Sequence, residues 1–243
     1  MNTVKDIRMG TRVSSTTMSS ETLAANADIS ELFSAAFSFP SPELAEALYS
    51  GNFQADLMDC LGELGIVIDS ELRSRITACR VEQDREGLHE SMRREYTRLY
   101  LTPGKYAIIH PYEGAFEFVA GGGKGSPTLF INPTAIAVET LMKRADALPE
   151  NSRTEPVDSI FTELDFLRIL YTRALACRNS GVEKGDGVAE SWLDFAERFR
   201  AEHIDNWLHG FMSATIEQTR LDVYRWLAEV GRVVFEVPIN NRS

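Results

Sequence analysis

Apolar residues recur every three or four positions along almost the whole chain, and the alternation that a half-buried strand needs is scarce. Ile29, Leu32, Phe33, Ala36 and Phe37 share one side of a first helix, for which Asp28 or Ser30 is the candidate cap. Pro40 and Pro42 end it and open a second helix over 43–49. The same spacing predicts helices over 54–64, 69–79 and 85–101. In the last of these Leu88, Met92, Tyr96, Leu99 and Tyr100 line one side, with arginines between them.

Past Phe116 the run Gly121-Gly122-Gly123-Lys124-Gly125-Ser126-Pro127 predicts a loop or hairpin tip. Asn132-Pro133-Thr134 then starts a helix that runs to Ala145. Residues 146–156 are polar and proline-containing, a connector and the best candidate for a hinge. Helical spacing returns over 157–178 and breaks at 181–187. Trp192, Phe195, Phe199, His203, Trp207 and Phe211 then predict one face of a single long helix. Ile216, Leu221, Tyr224, Leu227 and Val230 predict a last one. The sequence therefore predicts an all-α protein: one helical-bundle-like domain over 27–235 with about nine or ten helices. A disordered polar lead over 1–26 precedes it and a short tail over 236–243 follows.

Of the 243 residues 44% are hydrophobic and 25% charged, an ordinary globular balance. The net charge of −11 argues against a nucleic acid as the main partner and suits a cationic one, such as a basic peptide; it equally suits plain solubility. Cys60, Cys79 and Cys177 are scattered with no CxxC pair, as expected of reduced core thiols. No run of about 18 apolar residues offers a membrane span, and the N-terminus lacks the apolar core of a secretory signal. A cytoplasmic location is the expectation.

Catalytic motifs are absent. In the GGGKGS run Gly125 stands where a phosphate loop needs Ser or Thr after its lysine, and no strand leads into it. His89, His110, His203 and His209 form no HExxH pattern; His203 reads as a core histidine on the aromatic stripe, and no metal site is expected. Glu163 and Asp165 are two apart, so on a helix they point in different directions and make a poor acid–base pair.

The stretch 96–116, YTRLYLTPGKYAIIHPYEGAF, is more specialised. Pro103 and Gly104 set a tight turn after a helix end. Pro111 extends the chain before it, and Tyr112, Glu113 and Phe116 place rigid aromatics beside a carboxylate. That combination suits an amphipathic peptide carrying arginines, though a purely structural turn has the same pattern.

These residues resemble the TorD/DmsD/NarJ family of molybdoenzyme-maturation chaperones. The family's Y-x-x-L-F-x-G-P-G is matched by Tyr96 to Gly104, with Thr102 in place of a glycine. Its P-P-Y/W-x-S-x-Y is matched by His110 to Phe116, with His110 for a proline and Gly114 for the serine. Its E-P-D-H is answered by Glu163-Leu164-Asp165-Phe166, and its H-x-x-x-W-x-x-x-F by His203, Trp207 and Phe211 as a structural motif. The resemblance implies an all-helical, non-enzymatic protein of anaerobic respiration, monomeric or domain-swapped through its central connector. It implies binding of the twin-arginine leader and apo-form of a molybdenum oxidoreductase catalytic subunit, delaying export and assisting cofactor insertion.

The implied leader-binding residues are Tyr96, Leu99, Tyr100, Pro103, Gly104, Pro111, Tyr112, Glu113, Gly114, Phe116, Glu163, Asp165 and Phe166. No permanent cofactor is implied, only weak guanine-nucleotide or transient molybdenum-cofactor contact. Two other readings stand beside it: a NarJ-like assembly factor for a non-exported reductase, and a nucleotide-hydrolysing helical protein. The second lacks a clean phosphate site.

Overall fold

A computed structural model describes residues 18–78, 84–101, 108–180 and 191–236. Eleven α-helices make up the described chain, and its sole β feature among those residues is one antiparallel bridge between Tyr112 and Ser159. The all-α expectation therefore holds, with more helices than the spacing predicted.

Helix α1 (Ser20–Phe37) starts inside the segment expected to be a disordered lead. Ser19 caps it, its Oγ accepting the Thr22 N–H at 3.1 Å, and Leu23, Asn26 and Ala27 are already buried. The buried face of α1 runs along α8 (Ile160–Ser180), the long central helix, and the Ser34 hydroxyl donates to the Phe161 carbonyl between them. Helix α2 (Pro42–Ser50) has proline in its first turn under a Ser41 cap, as Pro42 predicted. It hands over to α3 (Asn52–Glu63) through Gly51 alone, at φ +87°, which favours glycine. Helices α4 (Ser70–Ala78) and α5 (Arg85–Tyr96) follow.

The expected helix over 85–101 changes geometry after Tyr96, where a wider π-helical turn (Thr97–Leu101) replaces the α-helix. Helix α6 (Glu113–Ala120) was not foreseen. It leads through the glycine run to α7 (Pro133–Arg144), which begins under an Asn132 cap as predicted. The glycine run is preceded by a helix, is exposed, and supplies no strand-to-helix phosphate cradle.

The single long helix expected over 192–211 is in fact two. Helix α9 (Trp192–Phe199) passes into a π-helical turn (Arg200–Ile204), and α10 (Leu208–Gln218) starts afresh. The cause is Arg200, which the stripe buries. Its Nε donates to Asp205 Oδ1 at 3.0 Å and its Nη2 to the Val234 carbonyl at 3.3 Å, while the Asp205 N–H reaches back to the Arg200 carbonyl. His203 and Trp207, at and beyond that turn, are both buried. Thr219 to Leu221 then separate α10 from α11 (Asp222–Glu236), so Ile216 belongs to α10 rather than to the last helix. The core is aromatic where these elements meet: Phe37 lies edge-on to Phe211 at 5.6 Å, and Tyr100 stacks on Phe211 at 5.4 Å.

Candidate functional site

Two backbone segments far apart in sequence run side by side and set the geometry. Pro111 accepts the Ile160 N–H at 2.9 Å, and the Glu113 N–H donates to the Asp158 carbonyl at 2.8 Å. This pairing places the first residue of α6, Glu113, beside the first turn of α8, which carries Glu163. The connector 146–156 is thus tied down at its far end, and Arg173 of α8 donates to the Ala145 carbonyl at its near end.

Four side chains close over this junction as one buried polar network. Glu113 Oε2 lies 2.8 Å from His203 Nδ1, and the Trp207 indole N–H donates to Glu163 Oε2 at 3.1 Å. The two pairs meet where Glu163 lies beside Glu113, with one oxygen of each within 4.8 Å of the other. Burial first, and the neighbouring Glu113 charge second, push the Glu163 carboxyl well above the usual carboxylate range. Below them Phe116 packs on Trp207 with ring centroids at 5.8 Å and on Phe211 at 6.2 Å. Three motifs that read separately in the sequence are therefore one structure.

Asp158, fully buried, completes the junction. Its Oδ2 accepts the Gly114 N–H at 3.2 Å at the start of α6, where a helix favours an anion. Burial nevertheless lifts its carboxyl to about 6, against the N–H bonds that pull it down. One atom each of Glu113, Glu163 and His203 lies within 4.8 Å of the other two, so this is the group among the described residues that could hold a divalent metal. Glu113 meets His203 and Glu163 Oε2 meets Trp207, while Glu163 Oε1 is buried with no hydrogen-bond partner among the described residues.

The outer face of the junction is different. Tyr112 is half-buried and donates its hydroxyl to Glu155 Oε1 at 3.0 Å. Burial raises the Glu155 carboxyl, and the tyrosine bond opposes that rise. Asp165 is half-exposed and pairs with Arg168 at 2.7 Å. Glu155 and Asp158 were not singled out from the sequence, since neither carries a motif; the position of Asp158 just past the polar connector is its only signal.

Several expected leader-binding residues have no surface to offer here. Tyr96 and Tyr100 are buried, their hydroxyls bonded to the Phe37 carbonyl and to Thr215 Oγ1, and Leu99 is wholly enclosed. Glu113 and Glu163 lie in the buried network, and Pro111 is buried too. Phe166, in place of the family histidine, sits edge-on to Phe199 at 4.8 Å in the core. Pro103 and Gly104 lie outside the described residues.

Apolar surface is instead exposed on the following helices. Phe118 and Val119 of α6, Phe130 and Ile131 before α7, and Ile136 within it are all open to solvent, with Ile131 79% exposed. No helix among the described residues is long and apolar enough to cross a membrane.

A model of the nitrate reductase delta subunit family matches residues 54–213. No curated protein matches the chain. Among solved structures, a proposed redox enzyme maturation protein from Archaeoglobus fulgidus is 18% identical, with a TM-score of 0.48 over 93% of this chain and 98% of that one. The family match takes in the 96–116 stretch, the Glu163 turn and the His203–Trp207–Phe211 motif. The chain belongs to the nitrate reductase delta subunit family, the NarJ/TorD-type group of redox-enzyme maturation chaperones.

Proposed function

We propose that this protein is a dedicated, non-enzymatic chaperone that binds the apo-form and the leader of a molybdopterin-dependent oxidoreductase subunit in the cytoplasm, delaying export and aiding cofactor insertion. The observation that carries this reading is the exposed apolar surface of α6, α7 and the segment between them. It follows Tyr112 along the chain in a member of a maturation-chaperone family. A stable monomer has little use for Phe118, Val119, Phe130, Ile131 and Ile136 on one exposed stretch; an incompletely folded client has apolar surface to lay against it. Nothing in the buried network positions a nucleophile or a reactive base at an open surface.

The test is co-purification of this chain with the apo-subunit of the reductase encoded beside it. Capture is expected from the intact protein and loss of capture from a Phe130→Asp, Ile131→Asp double variant that keeps its helical circular dichroism. Absence of capture by the intact, folded chain overturns the reading. The family description names nitrate reductase, and a second form of the reading takes a non-exported reductase as the client. A client gene with no twin-arginine leader would decide for that form.

A further inference from the structure

Three segments far apart along the chain deliver one donor each to the buried junction. Glu113 is the first residue of α6, Glu163 stands in the first turn of α8, and His203 sits in the π-helical turn after α9. One ligand atom of each lies within 4.8 Å of the other two, and all three side chains are buried, Glu163 completely. Two carboxylates are thus enclosed with a single imidazole. No lysine or arginine among the described residues pairs with either of them. Even a protonated His203 would balance only one of the two charges, and an enclosed charge without a counter-ion is costly.

Glu163 also has an oxygen to spare. Its Oε2 accepts the Trp207 indole N–H at 3.1 Å, while its Oε1 is buried with no hydrogen-bond partner among the described residues. Native interiors pair nearly all such atoms. A water would satisfy Oε1 and leave the excess of negative charge; a dication would remove both defects, since it and two carboxylates sum to zero. One imidazole nitrogen with carboxylate oxygens suits zinc and its first-row neighbours, and falls short of the roughly six to eight oxygens that calcium takes. His203 Nδ1 and Glu113 Oε2 are 2.8 Å apart. They need part by only roughly half an ångström to share a tetrahedral metal at bonds of about 2.0–2.2 Å. The surroundings already hold the donors: the Trp207 N–H orients Glu163, and the Phe199 ring lies 5.2 Å from that of His203. Exposed Glu117 stands one turn along α6 from Glu113. Burial and then the Glu113 charge raise its carboxyl while His203 opposes them, so it lies within electrostatic reach of two of the donors, on the side open to a cation.

We propose that Glu113, Glu163 and His203 form a structural site for one divalent first-row transition-metal ion, of the chemical class of zinc. Occupied, the site ties the start of α6 to α8 and to the π-helical turn that precedes α10. Helix α6 also carries the exposed Phe118 and Val119, so the ion stiffens the element on which that apolar surface begins. The inference goes beyond the chaperone reading and needs neither client nor catalysis. No spacing along the chain announces the site, because its donors meet only through the pairing of 111–113 with 158–160 and the turn that buries His203.

The experiment is metal titration of the full chain after stripping with EDTA, with zinc followed by competition against a chromophoric chelator and cobalt(II) by its visible spectrum. One equivalent of zinc should bind and raise the thermal unfolding midpoint. Cobalt(II) should give the ligand-field spectrum of a nitrogen–oxygen site with no thiolate charge-transfer band. Glu163→Gln, which keeps an acceptor for Trp207, and Glu113→Gln should each weaken zinc binding on the order of a hundredfold or more with unchanged circular dichroism. The exposed neighbours Glu202→Gln and His209→Ala should stay within about twofold of the intact chain. The proposal is overturned if the intact, folded chain takes up no zinc at micromolar concentration, if a thiolate band puts the cobalt on cysteine, or if both glutamine variants bind as the intact chain does. Should those variants lose their helical signal, the intact chain decides alone: one ion with a nitrogen–oxygen spectrum upholds the site, and any other stoichiometry or spectrum overturns it.

Discussion

Glu113 and His203 meet at 2.8 Å although 90 residues separate them, and both are buried. Removing one partner strands the other away from water, which costs about 1–3 kcal/mol for a buried polar group. Glu113→Gln should therefore lower the unfolding free energy by about 1–3 kcal/mol, and His203→Ala by somewhat more through the cavity it leaves. Urea titration of both single variants and of the double variant gives the check. The double should cost clearly less than the sum, since the two share one interaction; additive losses would mean the pair is not coupled.

Glu163 gives the junction a pH dependence of definite sign. Burial lifts its carboxyl in the folded state well above the ordinary value at which the unfolded chain releases its proton. The stabilisation is therefore complete below that value and is lost as pH rises toward the raised folded value. Asp158 acts the same way between 3.8 and about 6. The intact chain should lose stability as pH is raised from about 5 to 8, and Glu163→Gln, neutral at every pH, should lose distinctly less. Denaturation midpoints across that range would contradict the assignment if the two profiles were parallel.

Glu95 behaves in the opposite sense. Burial is the largest single influence and pulls its carboxyl up, but Arg98, the Arg220 N–H and the Thr219 hydroxyl together outweigh it and hold the group at about 2. Through these bonds α5 grips the turn between α10 and α11. A depressed carboxyl stabilises above its unfolded value and loses that contribution as pH falls through the folded one. Acid unfolding between about pH 4.5 and 2 should therefore be blunted in Glu95→Gln, which is itself about 1–3 kcal/mol less stable at neutral pH.

Gly114 stands where the family pattern has serine, and the reason is spatial. A Cβ there would lie 2.6 Å from Asn132 Oδ1, the atom that accepts the Ala135 N–H and caps α7. Gly114→Ala should displace this cap and cost about 1 kcal/mol, the usual worth of an N-cap. In an Asn132→Gly background the same substitution should cost much less, a difference thermal denaturation can read.

Helices α2, α5, α7 and α8 were legible because each carries its own local signal: a capping residue, a proline in the first turn, or an unbroken apolar stripe. The aromatic stripe from Trp192 to Phe211 shows where that signal ends. Spacing marked every buried position correctly, yet it could not show that Arg200 is buried among them, and satisfying Arg200 is what forces the π-helical turn. In the same way Ser19 was a cap hidden in a polar segment, visible only once Leu23 and Ala27 have α8 to pack against.

The sequence by itself determined an all-helical chain, its aromatic core positions and its membership of a chaperone family, because helical periodicity and local motifs survive without a partner surface. Only the tertiary structure decided which motif residues face outward. Pairing of 111–113 with 158–160 gathers Glu113, Glu163, His203 and Trp207 into one buried junction, and it leaves Tyr112 and Glu155 outside. Contacts between residues 44 to 90 positions apart are invisible to spacing.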